Sequence, residues 1–382
     1  MNERITQMSK AQNILVIGGG VAGLAVAIGL HNQGLKVEVV EKDASWSVYH
    51  VGIIVQANFI RALDQLGVGK AAVAAGYPYK GARFRNVAGE VIAELPGDSQ
   101  VDGLPSDLGL TRPALHKVLT DEVKRLGIPV RLGVSFDSFT DTGGAVEVTF
   151  TDGSSGSYDL MIGCDGNYSA VRKVLWPDAA PQYTGQAVWR YNVPRPADLE
   201  WSDIYIGIDN GFKGKAGYCP LTPEEMYIFA VIEEPGKPRF APETLADEMR
   251  KRLAGYGGLM AEAAAHVTDP ALVVYRPLEA CIMPDPWYRG RVVLIGDAAH
   301  SATPHLGQGA AMAVEDAVVL AEELAGKDVD TALRAFMDRR FERARLVGTS
   351  SIQLGEWEMH PETAGDPVEL TQRIREKLAE PV

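Results

Sequence analysis

One glycine pattern near the start of the chain constrains its fold more than any other feature. Residues 13–17 read Asn-Ile-Leu-Val-Ile, a short β-rich run of the kind found where a parallel strand is covered on both faces. Gly18-Gly19-Gly20-Val21-Ala22-Gly23 follows, a G-x-G-x-x-G. Leu24, Ala27, Ile28 and Leu30 then recur at helical spacing, Gly34 suits a helix end, and residues 36–40 form a second strand run ending at Glu41. Strand, glycine turn, helix and strand within about 30 residues make a βαβ unit.

Each part has a physical task. Gly18 makes the tight turn. Gly20, without a Cβ, lets a pyrophosphate approach the backbone, and Gly23 lets the helix pack closely on the strand. Val21 and Ala22 open the helix, whose free N–H groups and positive dipole end face the phosphates. Glu41 stands 18 residues beyond Gly23, where an acid accepts the ribose hydroxyls of an adenosine and repels a 2′-phosphate. Lys42 follows it. The unit fits the adenosine half of FAD or NAD and fits NADP poorly.

The same residues bear on a rival reading. Residues 14–30 are uncharged and apolar and would attract a signal-peptide or membrane-span assignment. Gly18, Gly19, Gly20 and Gly23 interrupt the run, so no membrane span is expected. The chain has 382 residues with 46% apolar and 23% charged, the composition of a globular enzyme of two lobes. Lys+Arg 37 against Asp+Glu 50 leaves −13, which argues against nucleic acid. Cys164, Cys219 and Cys281 lie far apart with no C-x-x-C. They read as core residues of a reducing, cytoplasmic setting, with no metal site.

Two later segments repeat the strand-to-turn logic. Residues 158–172 read Y-D-L-M-I-G-C-D-G-N-Y-S-A-V-R, a strand running into Asp165-Gly166 and then a helix starting near Ser169. Residues 291–320 carry a β-branched strand, Gly296-Asp297, then Pro304, Gly307 and Gly309 ahead of a helix. With these motifs in order, the chain resembles the single-component FAD-dependent aromatic hydroxylases, the class of para-hydroxybenzoate and salicylate hydroxylases, from about Gln12 to about Arg345.

The resemblance implies an α/β fold: a Rossmann-like FAD-binding domain with an inserted antiparallel β-sheet substrate domain and C-terminal helices. The expected division is 11–76, 109–178 and 280–355 for the FAD domain, 77–108 and 179–279 for the substrate lid, and 356–382 for a tail. It also implies site residues. Gly18, Gly20, Gly23 and Glu41 would hold the ADP half of a tight, non-covalent FAD; Arg112 would contact the nucleotide, and Asp165 and Gly166 would serve FAD and NAD(P)H. Asp297 would meet the ribityl chain. Pro304, Gly307, Gly309, Ala310 and Ala311 would lie by the isoalloxazine ring, where a helix N-terminus stabilises negative charge. Ala311 departs from the Asn of many relatives, and residues 49–58 depart from the usual Gly-Ala-Gly-Ile and Pro-Asn.

Residues 181–232 alternate in short runs broken by Pro and Gly, as in an antiparallel sheet. In the relatives this sheet covers the flavin. Trp189, Arg190, Tyr191, Tyr218, Tyr227 and Phe229 are the expected substrate-lining residues. Alternation puts Trp189 and Tyr191 on one face and Arg190 on the other, so they cannot all face one pocket without a bulge. His50, Tyr218 and His305 are the candidate acid–base groups for phenol deprotonation. Arg112, Arg172 and Arg190 are candidates for a local positive entrance.

By resemblance, NAD(P)H docks transiently and reduces FAD, O₂ yields a C4a-hydroperoxyflavin, and this hydroxylates a small phenolic or N-heteroaromatic substrate, with or without a carboxylate. The chain would act as a monomer or homodimer. A thiol–disulfide flavoreductase would need a spaced Cys pair, and a flavin halogenase would show W-x-W-x-I-P; Trp189-Arg190-Tyr191 does not match. A same-fold epoxidase or natural-product tailoring monooxygenase, and a non-catalytic flavin-binding protein, stay open.

Overall fold

The computed structural model describes residues 11–207 and 211–382. Its first layer is a six-stranded sheet. From one edge to the other it runs Tyr288–Arg289, Val292–Leu294, Leu160–Gly163, Asn13–Ile17, Lys36–Glu41 and Val130–Leu132. All neighbours are parallel except the first pair. Asn13–Ile17 lies in the middle, buried from Ile14 to Ile17, which is why its sequence is continuously apolar rather than alternating.

Helix Val21–Asn32 packs between this sheet and helix Gly309–Leu324. A Cβ on Gly23 would lie 1.8 Å from the Gly18 carbonyl oxygen, and one on Gly29 would lie 3.0 Å from the Ala321 Cβ. The glycines therefore set how closely the helix approaches both neighbours.

A second, seven-stranded sheet is mainly antiparallel. Its order is Val274–Ile282, Gln182–Pro194, Glu225–Glu233, Gly214–Pro220, Ser202–Ile206, Gly81–Arg85 and Val91–Pro96. Strand alternation gives it two different faces. One face carries Trp189, Tyr191, Tyr205, Tyr218 and Ile228 and packs on helices Leu245–Leu253 and Leu259–Ala265. The other carries Val188, Tyr227, Phe229 and Val231 and turns toward the first layer. The space between that face and the carboxyl ends of the parallel strands is a single cavity of about 1120 Å³.

The chain closes with helix Val329–Met359 and helix Pro367–Ala379. The segment expected as a tail therefore begins inside a helix and continues into a second one. Trp357, Pro361, Gly365 and Arg375 line the cavity. Glu358 fastens this segment in place. Its carboxylate meets Lys215 Nζ at 2.9 Å and His305 Nε2 at 3.1 Å, and accepts from Gln186 Nε2 at 3.1 Å. Gly355 makes the approach possible, since a Cβ there would lie 2.6 Å from Gln186 Oε1 and 2.9 Å from His305 Cε1.

Burial alone would raise the Glu358 carboxyl, but Lys215 and His305 overcome it and hold the group well below the usual carboxylate range. Burial pushes the His305 imidazole down, so it is neutral at pH 7 and donates Nε2–H to the carboxylate. A carboxyl whose folded pKa is depressed contributes stability above its unfolded pKa and loses it as pH falls. Glu358→Gln is expected to cost about 3 kcal/mol by leaving Lys215 buried without its counter-charge. Followed by thermal denaturation, the gap between wild type and variant should hold from about pH 8 to about pH 5 and shrink only in stronger acid. A gap that closes by about pH 6 would contradict the ionised clasp.

Candidate cofactor and substrate site

The cavity is built from two uncapped helix starts. Helix Val21–Asn32 has Gly20 at its N-cap and helix Gly309–Leu324 has Gln308, and neither N-cap side chain accepts from the helix backbone. Gly20, Val21, Ala22, Gly309 and Ala310 all line the cavity. Unsatisfied N–H groups at such ends favour anionic or electron-rich groups. A Cβ on Gly20 would meet nothing within 4 Å. That open space lies where a phosphate group would approach.

Glu41 sits at the end of its strand, and its carboxylate accepts from Gly19 N and Asp43 N, each at 2.7 Å. These bonds fix its position and leave lone pairs for ribose hydroxyls. Lys42 stands beside it on the cavity wall. Toward the opposite edge of the parallel sheet, also at a carboxyl end, Gly296 adopts φ +61° and its N–H donates to Asp316 Oδ2. That turn leaves Asp297 exposed to the cavity among buried neighbours, with no side-chain partner among the described residues. Pro304, His305 and Leu306 form a short 3-10 turn, and Gly307 leaves it at φ +68°. A dinucleotide flavin fits this arrangement: phosphate-facing glycines at one end, a ribose acceptor beside them, and a free carboxylate and helix start at the other.

The predicted residues divide clearly. Gly20, Val21, Ala22, Glu41, Lys42, Arg112, Gly166, Asp297, Pro304, Gly307, Gly309 and Ala310 line the cavity, as do Arg190, Tyr227 and Phe229. Gly18, Gly23, Gly296 and Ala311 lie just behind it and shape its backbone. Asp165 is turned away: its carboxylate accepts from Ser169 Oγ, Ala170 N and Val171 N, capping helix Ala170–Leu175. Arg172 is likewise engaged with the carbonyls of Asn167, Ala179 and Ala298, so it is not a positive entrance.

Expectations for five lid and loop residues need correction. Trp189 and Tyr191 face the helix side of the lid sheet, because Arg190 between them faces the cavity and no bulge intervenes there. Trp189 packs on Tyr275 and Phe240, and the Tyr191 hydroxyl accepts from Asp269 N at 3.3 Å. Tyr218 lies on the same far face, and its O–H donates to buried Asp203 at 2.5 Å. Burial and Asp203 push that phenol well above its ordinary value, so it is not a cavity base. His50 is exposed and pairs with the Leu272 carbonyl at 3.1 Å. His305 contributes to the cavity wall, but its side chain is fully buried against Glu358 and so cannot meet a substrate directly.

The free polar groups inside are cations and a phenol. Arg190 has no hydrogen bond or ion pair among the described residues, and burial together with nearby Arg112 lowers it to about 10. Arg112 opens helix Arg112–Arg125, its Nε is buried without a partner, and burial lowers its pKa also. Tyr227 lies close to both, and burial pushes its phenol up. Sequence reading missed Lys215, Glu358 and the C-terminal wall. Lys215 is three residues from Tyr218 on one strand, so alternation alone places the two on opposite faces. No pattern in the sequence marked Glu358. Among the described residues no helix is long and apolar enough to cross a membrane, and no His, Cys, Asp and Glu cluster could hold a metal ion.

Comparison with known proteins agrees with this geometry. A family model described as an FAD binding domain matches residues 11–353. The chain is 30% identical to the putative FAD-dependent monooxygenase YetM of Bacillus subtilis, covering 90% of this chain and 93% of that one. It is 32% identical to the 2-heptyl-3-hydroxy-4(1H)-quinolone synthase of Pseudomonas aeruginosa, covering 90% of each. Among solved structures, Klebsiella pneumoniae HpxO complexed with FAD and uric acid superposes with a TM-score of 0.82 at 26% identity, over 97% of this chain and 93% of that one. Motifs, fold and relatives converge: the chain belongs to the FAD-dependent aromatic hydroxylases, a superfamily of flavoprotein monooxygenases.

Proposed function

We propose that the protein hydroxylates an anionic or readily deprotonated aromatic or N-heteroaromatic compound, using FAD, O₂ and NADH or NADPH. The observation that carries this reading is Arg190, a half-buried guanidinium that faces the cavity with no partner among the described residues. A cation in that state recognises a carboxylate, a phenolate or the enolate oxygen of a heteroaromatic ring. Relatives supply the chemical class: 6-hydroxynicotinate 3-monooxygenase of Pseudomonas fluorescens is 30% identical, and 3-hydroxybenzoate 6-hydroxylase 1 of Aquipseudomonas alcaligenes is 28% identical.

FAD would supply the activation of dioxygen, with electrons from the nicotinamide. The protein's own work is to bind, orient and exclude water. Gly20, Glu41 and Arg112 would hold the ADP half, and Asp297 the ribityl hydroxyls. The start of helix Gly309–Leu324 would stabilise negative charge on the ring. Arg190 would pull the substrate oxygen toward its anionic form, in a cavity wall that also carries Tyr227. The apolar lid face, with Val188 and Phe229 beside them, would keep water from the reacting carbon.

The test begins with the purified protein and its flavin spectrum. Phenolic and N-heteroaromatic acids should then stimulate NAD(P)H oxidation with formation of a hydroxylated product. A protein that takes up no FAD, or one that yields only peroxide with every aromatic acid, would overturn the reading. Asp297→Ala should weaken FAD roughly 10- to 100-fold, the loss of a charged hydrogen-bonding group, with an unchanged circular dichroism spectrum. An unchanged FAD titration would show that Asp297 does not hold the cofactor. Arg190→Met should leave FAD affinity alone and weaken the aromatic acid by about 1.5–3 kcal/mol, read as the concentration that half-saturates the flavin spectral change.

A further inference from the structure

The strand register of the lid sheet shows how far the substrate chamber extends. On the cavity face, Arg190 pairs with Phe229, Phe229 with Gly217, Gly217 with Ile204, and Ile204 with Phe84. This row crosses four strand intervals, a span of roughly 19 Å at about 4.8 Å each. A single ring with its oxygen substituents covers less than half of that distance. After Arg190 the row contains no polar side chain. The Phe229 ring folds over Gly217, where a Cβ would lie 2.3 Å from Phe229 Cζ, so Phe229 rather than Gly217 forms the apolar floor at that point of the row.

The opposite wall of this far end is the C-terminal segment. Trp357, Pro361, Ala364 and Pro367 line the same cavity as Ile204 and Phe84. The charged groups near them already have partners, and Lys213 donates to the Met359 carbonyl at 2.7 Å. Lys215 holds Glu358, and Arg375 holds Asp107 at 3.2 Å. Among the described residues the compartment thus offers apolar contact and no charged group without a partner, while Arg190 offers a free charge at the other end.

We propose that the substrate is a ring bearing an apolar chain of several carbons, its anionic oxygen at Arg190 and its chain laid across Phe229, Ile204 and Phe84 beneath the C-terminal segment. This rests on the aromatic-hydroxylase reading and narrows it from small aromatic acids to amphiphilic ones. The chain has an apolar floor and an apolar roof, so each methylene it buries contributes to binding, and a longer chain is favoured until the compartment is full.

The experiment uses the FAD-loaded protein and two ring series, alkylated 2-hydroxybenzoates and 2-alkyl-4-hydroxyquinolines, from unsubstituted to heptyl. Affinity is read from the flavin spectral change. The expected result in at least one series is roughly three- to fourfold tighter binding per added methylene over the first several carbons. Ile204→Trp, which fills the far compartment, should bind the unsubstituted ring as wild type does and remove most of the heptyl advantage. Unsubstituted rings that bind while chains add nothing, or prevent binding, would overturn the proposal and leave the aromatic reading intact. A heptyl advantage untouched by Ile204→Trp would also overturn it, since the chain would then lie elsewhere. If no member of either series alters the flavin spectrum, the reading on which the proposal rests falls with it.

Discussion

Arg340 is the residue on which the site's geometry depends. Its guanidinium is fully buried and bonds Asp316 Oδ1 at 2.8 Å and Glu315 Oε2 at 2.7 Å. Each acid passes the constraint onward. Asp316 Oδ2 accepts from Gly296 N at 2.9 Å and pairs with His300 at 2.6 Å, which fixes the turn that presents Asp297. Glu315 accepts from Asn58, Asn58 donates to Gln308 Oε1 as well, and Gln56 donates to the Leu306 carbonyl at 3.0 Å. One buried cation on helix Val329–Met359 thereby holds the start of helix Gly309–Leu324 and the 304–309 loop in register. Two carboxylates and a guanidinium would be costly to bury separately. Together they satisfy one another, and the cavity's polar surfaces sit on that rigid support.

The charge distribution resolves the difficulty posed by an acidic chain with an anionic ligand. The net charge is −13, yet the cations that matter lie inside, where solvent does not screen them. Arg190 and Arg112 lack carboxylate partners, whereas Lys215 and Arg375 in the same cavity have them. The protein therefore distinguishes two kinds of buried cation by pairing alone. The unpaired kind stands near the flavin end and the paired kind beneath the C-terminal wall.

What the sequence made legible follows from how locally each feature is encoded. The glycines at 18, 20 and 23 with Glu41, and Gly296-Asp297 with the Pro304 turn, are short continuous segments whose geometry is set by backbone conformation. Their residues gather at one cavity because parallel strands end on the same side of a sheet. The faces of the lid sheet were legible only as an alternative. Alternation separates Arg190 from Trp189 and Tyr191 but does not say which face is inward; the helices packed on Trp189 and Tyr218 decide it. Asp165 misled because an aspartate after a strand suits a helix cap as well as a ligand. The roles of Glu358 and the C-terminal wall depend on contacts across more than 50 residues. No local periodicity carries such information.

In the proposed reaction this cavity would bring an aromatic substrate, anchored at Arg190, against a bound flavin that activates dioxygen. Its most direct test is turnover of an aromatic acid under ¹⁸O₂ by the FAD-loaded protein, with mass analysis of the product. The expected result is one ¹⁸O atom added to the ring in wild type and a large loss of labelled product, at unchanged FAD content, in Arg190→Met. A product whose new oxygen comes from water, or labelled turnover indifferent to Arg190, would contradict it.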